Sequence, residues 1–68
     1  MKLSARNVLK GRVVKLIRGQ TTAHVKIDVG GSVVTASITV EAVDEMGLRE
    51  GDVAYAIIKA SSVIVAKD

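Results

Sequence analysis

Two runs of strict alternation on either side of Gly30-Gly31 constrain this chain more than any other stretch. From Thr22 to Val29, the apolar residues Ala23, Val25, Ile27 and Val29 share one face, while Thr22, His24, Lys26 and Asp28 share the other. From Ser32 to Val40, Val34, Ala36, Ile38 and Val40 oppose Val33, Thr35, Ser37 and Thr39. Successive side chains of a strand point to opposite faces, so each run reads as a half-buried strand. Adjacent glycines accept the positive φ of a tight turn, which makes the two runs an antiparallel hairpin. A hairpin of this kind needs more sheet around it to cover its apolar face.

The remaining segments supply that sheet. Asn7 to Ile17 is extended and apolar, through Val8, Leu9, Val13, Val14, Leu16 and Ile17. Gly11 lies inside it, where a strand bends or bulges so that a sheet can curl. Arg18-Gly19-Gln20 reads as a turn. Glu41 to Met46 is the one helical segment: Thr39 can cap its start, the acids Glu41, Asp44 and Glu45 suit a helix N-terminus, and Gly47 stops it. At about two turns it cannot stand alone and must cap or plug a sheet. After the turn Arg49-Glu50-Gly51-Asp52, Val53 to Lys59 forms a fourth strand and Ser62 to Ala66 a fifth, joined at the corner Ala60-Ser61. The order β-β-β-α-β-β is that of the OB-fold, a five-stranded Greek-key barrel. The expectation is an all-β protein with one short helix, a single domain over residues 1–68, with no linker and no internal repeat.

Composition adds a second requirement. Sixty-eight residues bury a small share of their surface, and such domains lean on disulfides, a metal or partner subunits. There is no cysteine, and His24 is the only histidine, which leaves oligomerisation. The hydrophobic share is 49%, nearly all aliphatic with Tyr55 the one aromatic residue, which is more aliphatic surface than one tiny core can use. An obligate oligomer with aliphatic interfaces follows. The chain opens on Met1-Lys2-Leu3-Ser4 without the apolar run of a signal peptide, and no segment has the length of a membrane span, so a cytoplasmic protein is expected.

Among functional classes, catalysis finds little material. His24 sits on a polar strand face with Lys26 and Asp28, there is no thiol, and the serines have no nearby histidine and acid in a recognisable arrangement. No enzyme is expected. A small OB-fold nucleic-acid module is the alternative, but such modules stack bases on aromatic side chains in a basic groove, and one tyrosine with a net charge of +3 serves that poorly. Anion binding has more support. Ser4-Ala5-Arg6-Asn7 places a hydroxyl, a guanidinium and an amide within four residues at the start of the first strand, and Lys59-Ala60-Ser61-Ser62 is a second set of donors. Few charges with many neutral donors suit a fully ionised oxyanion. Each stretch also has a plain structural reading, in which Ser4 begins a strand, Arg6 pairs with an acid and Ser61-Ser62 is only a turn.

The same residues resemble a known family. Ser-Ala-Arg-Asn followed by an apolar residue and Lys-Gly-x-Val-Val, then Thr-Ala-x-Val-x-Ile, Ile-Thr-x-Glu-Ala-Val-Asp-Glu-Met-Gly-Leu, Glu-Gly-Asp and Ile-Lys-Ala-Ser-Ser-Val, follow the order of the molbindins, the molybdopterin-binding (Mop) proteins, over nearly the whole chain. The resemblance implies an OB-like domain that assembles as a homohexamer, a trimer of dimers. It also implies that molybdate or tungstate is held between subunits, with Ser4, Ala5, Arg6 and Asn7 from one and Lys59, Ala60, Ser61 and Ser62 from a neighbour. It implies no further cofactor and no metal ligated directly by side chains, no membrane, and a role in intracellular molybdenum storage or homeostasis. The family's second kind of site, near a symmetry axis, would fall at the Gly19 to Thr22 turn and His24. With nothing appended, the chain reads as the free-standing form of the module.

Overall fold

The computed structural model describes residues 1–68 and contains four strands, one α-helix and one 3-10 turn. The strands are β1 (Asn7–Arg18), β2 (Thr22–Asp28), β3 (Val33–Thr39) and β4 (Val53–Ile58); the helix α1 is Val40–Met46, between β3 and β4, and Ala60–Ser62 forms the 3-10 turn. All neighbouring strands are antiparallel, in the order β3-β2-β1-β4, and the sheet curls into a half-barrel.

The hairpin forms as its alternation dictates. Gly30 and Gly31 have φ of 95° and 88°, the Asp28 carboxylate accepts from the Gly30 N–H at 2.9 Å, and β2 faces β3 from Thr22–Thr39 to Asp28–Val33. Ala23, Val25 and Ile27 are buried and His24 is exposed, so the inward face is the apolar one. The helix is also built as expected, one residue earlier at its start. The Thr39 hydroxyl accepts from the Ala42 N–H at 3.0 Å, a cap worth about 1 kcal/mol. Gly47 closes the helix in the left-handed region at φ 60°, and Val43 buries the helix against β2 and β3.

Two expectations need correction. The bulge in β1 lies at Val14, between the register pairs Val13–Ile27 and Lys15–Lys26, and not at Gly11. It is held by the 49–52 turn: Gly51 N–H donates to Val13 O at 2.8 Å, Val13 N–H to Asp52 O at 2.9 Å, and Leu16 N–H to the Glu50 carboxylate at 3.0 Å. Gly11 serves a different need. A Cβ there would collide with the Asp28 carbonyl and come within 2.8 Å of Ile27 Cγ2, so glycine lets β1 and β2 close up as the sheet curls.

The second correction concerns the fifth strand. Residues 63–68 join no ladder, and β4 ends at Ile58 rather than Lys59. Val63 is extended, but Ile64 and Val65 are 93% and 88% exposed, because no apolar face of the same chain lies under them. A segment with strand-like residues but no partner gains nothing from strand formation. β3 and β4 therefore remain free edges, with an apolar groove of about 500 Å³ between them that includes Ile38, Met46, Leu48, Val53 and Tyr55. Only six of 68 residues are buried, all apolar: Val13, Ala23, Val25, Ile27, Val43 and Ala56. That core is too small to make the isolated chain robust.

Gly11→Ala should cost about 1–3 kcal/mol by forcing β1 away from the end of β2. Urea unfolding of the variant measures it, and an unchanged midpoint would show that the strands do not need this approach.

Candidate functional site

The β1–β4 ladder runs from Arg12–Val53 to Asn7–Ile58. Antiparallel pairing therefore sets the residues just before Asn7 beside those just after Ile58. Ser4, Ala5 and Arg6 on one side, with Lys59, Ala60 and Ser61 on the other, line one surface concavity of about 560 Å³; Ile57 is its seventh lining residue. Both donor stretches belong to the same chain here. Their allotment to different subunits is not needed to bring them together, since the ladder already does so.

The two cations of the site are free. The chain's one salt bridge joins Arg18 to Asp44 at 3.1 Å, so neither Arg6 nor Lys59 pairs with an acid. The side chains of Ser4, Ser61 and Ser62 likewise make no hydrogen bond to the rest of the chain. In the 3-10 turn, Ser62 N–H donates to Lys59 O and Val63 N–H to Ala60 O, which leaves the N–H groups of Ala60 and Ser61 without partners inside the turn. No carboxylate lines the concavity. Guanidinium, ammonium, hydroxyl and backbone N–H donors without an acceptor charge among them attract an oxyanion and hold nothing cationic.

Two of the eight expected residues are placed differently from the rest. Asn7 is half-buried and does not line the concavity; its Nδ2 donates to the Ile58 carbonyl at 3.2 Å. Ser62 lies at the end of the turn, and its N–H is used in closing it. Ile57, an apolar residue in a strand, carries no sign in the sequence that it borders a polar site. The other suspected region has the opposite chemistry. Gln20 and Thr21 border a shallow recess with Glu41 and Asp44, and His24 is not among its residues.

Comparison with known proteins agrees with both the fold and the resemblance. Residues 3–65 match the TOBE domain. The chain belongs to the TOBE domain family. It is 52% identical over 66 residues to the probable molybdenum-pterin-binding protein of Haemophilus influenzae, covering 96% of each chain. Among solved structures, a molybdate-binding protein from Sporomusa ovata superposes with a TM-score of 0.94 at 34% identity, over 98% of this chain and all of that one. The cytoplasmic molybdate-binding protein ModG, in a molybdate-bound form, gives a TM-score of 0.89 at 45% identity over 94% of this chain and 46% of that one. The Mop-type sequence order and the half-barrel of this TOBE domain thus belong to the same group of proteins.

Since the exposed Arg6 and Lys59 side chains make no ion pair and no hydrogen bond within this TOBE domain, Arg6→Ala and Lys59→Ala should each leave the unfolding free energy within about 0.5 kcal/mol of the parent. Urea denaturation reads this, and a loss above about 1 kcal/mol would assign either residue to the fold instead.

Proposed function

We propose that this TOBE domain is a molybdate- or tungstate-binding protein, not an enzyme, that takes up the oxyanion in the cytoplasm for molybdenum storage and homeostasis. The observation that carries the reading is the concavity in which Arg6 and Lys59 lie free of any ion pair, with hydroxyls and backbone donors around them and no carboxylate. A tetrahedral dianion presents acceptors only, which matches such a lining. The relatives' described binding of molybdate and molybdenum-pterin points the same way.

On this reading the site residues are Ser4, Ala5, Arg6 and Asn7 with Lys59, Ala60, Ser61 and Ser62, and no other cofactor takes part. The concavity is many times the ~30 Å³ share of a water molecule and is open to solvent, so one small anion would leave much of it unfilled. A second subunit would supply the missing wall. The exposed Val63-Ile64-Val65 segment argues for the same partner. In a homo-oligomer it would enter the apolar groove between β3 and β4 of another copy as the fifth strand, completing the barrel and carrying the Lys59–Ser62 turn to the subunit boundary. A hexamer built as a trimer of dimers satisfies both requirements, with residues 1–68 acting as one binding domain. A nucleic-acid-binding role is not favoured, since Tyr55, the one aromatic side chain, borders the apolar groove and not a basic one.

Titration calorimetry with molybdate, tungstate, sulfate and phosphate tests the proposal. Molybdate and tungstate should bind alike and far more tightly than sulfate or phosphate, and Arg6→Ala should weaken molybdate on the order of tenfold to a hundredfold. No heat with molybdate, or equal binding of phosphate, would refute it.

A further inference from the structure

Asn7 stands apart from the other donors of the two stretches because its amide is already committed. Nδ2 donates to the Ile58 carbonyl, and Asn7–Ile58 is the terminal register pair of the β1–β4 ladder. Arg6 lies one residue outside that pair on one strand and Lys59 one residue outside it on the other. Beyond the pair, Ser4, Arg6 and all of Lys59 to Ser62 are exposed, and apart from the 3-10 turn's own two backbone hydrogen bonds no side chain of the protein bonds to it. The peptide joining Ile58 to Lys59 is rigid and planar. Gripping its carbonyl fixes the plane from which the turn departs, and the grip comes from the residue that directly follows Arg6.

We infer that Asn7 is a positioning residue and not a ligand: through the Ile58 carbonyl it sets the spacing between Ser4-Ala5-Arg6 and Lys59-Ala60-Ser61, and so decides which size of tetrahedral anion the site accepts. The inference rests on the proposed oxyanion function and refines it. Tetrahedral dianions carry the same charge and the same acceptors, so discrimination among them falls to distance. A donor set selects by distance only if held to within about 0.5 Å. Two exposed stretches at the end of a ladder reach that precision only if their last common rung is locked, and the Asn7 amide is the one side-chain bond at that rung.

The test is competitive titration of molybdate and sulfate into wild type, Asn7→Ala and Asn7→Gln, with amide hydrogen exchange at Ala60 and Ser61 in the anion-free proteins. Asn7→Ala should bind molybdate about tenfold more weakly, lose roughly tenfold of its preference for molybdate over sulfate, and exchange faster at both amides. Asn7→Gln, which keeps an amide donor on a longer arm, should recover part of the preference. Equal weakening of both anions with unchanged exchange would make Asn7 a direct ligand and overturn the inference. A lowered thermal midpoint with unchanged preference would make it a purely structural residue and overturn it as well. A wild-type protein that takes up no molybdate would instead remove the functional reading itself, and that result is seen without any variant.

Discussion

The pairing of β1 with β4 is the interaction on which the rest depends. It joins residues 51 positions apart in the chain, Asn7 and Ile58, and so sets the N-terminal donors beside the turn that follows β4 in the same chain. The same strand β1 pairs with β2 on its other side, so it lies at the centre of the sheet and carries the bulge that curls it. Structure and site therefore share one element. The bonds that close the half-barrel are those that set Arg6 beside Lys59.

What this arrangement leaves unfinished is as informative as what it completes. Each unpaired edge, the apolar groove between β3 and β4, and the bare Val63-Ile64-Val65 segment would be costly in a lone chain. They are complementary to one another: a groove lacking a strand and a strand lacking a groove. The open concavity above the β1–β4 end has the same character, with donors on one side and solvent on the other. A protein with six buried residues has a small core of its own, and in the proposed homo-oligomer the partner that covers these surfaces would also close the anion site.

Much of this was legible in the residues. The Gly30-Gly31 hairpin, the Thr39 cap and the Gly47 stop are decided locally, by alternation, a hydroxyl and a missing Cβ, and all three stand in the structure. The fifth strand is not formed within the lone chain, because alternation and β-branching report that a segment can be a strand, not that the same chain offers it a partner. The bulge was misplaced for a related reason. Gly11 marks a close approach of two backbones, and the bulge at Val14 is held by hydrogen bonds between the 49–52 turn and the flanking Val13 and Leu16, which no local pattern encodes. At the site, residue types disclosed the donors but not their commitments. Nothing in Ser-Ala-Arg-Asn distinguishes a free guanidinium from an amide already bound to a carbonyl across the sheet, and that difference separates Arg6 from Asn7.

In the proposed function, anion binding and assembly are one event built on the Ser4–Asn7 and Lys59–Ser62 stretches. Native mass spectrometry of the protein with and without molybdate measures oligomer size and anion count together. The account predicts a hexamer that retains molybdate and a monomer that retains none. Molybdate held stoichiometrically by the monomer, or an oligomer that never retains it, would contradict the account.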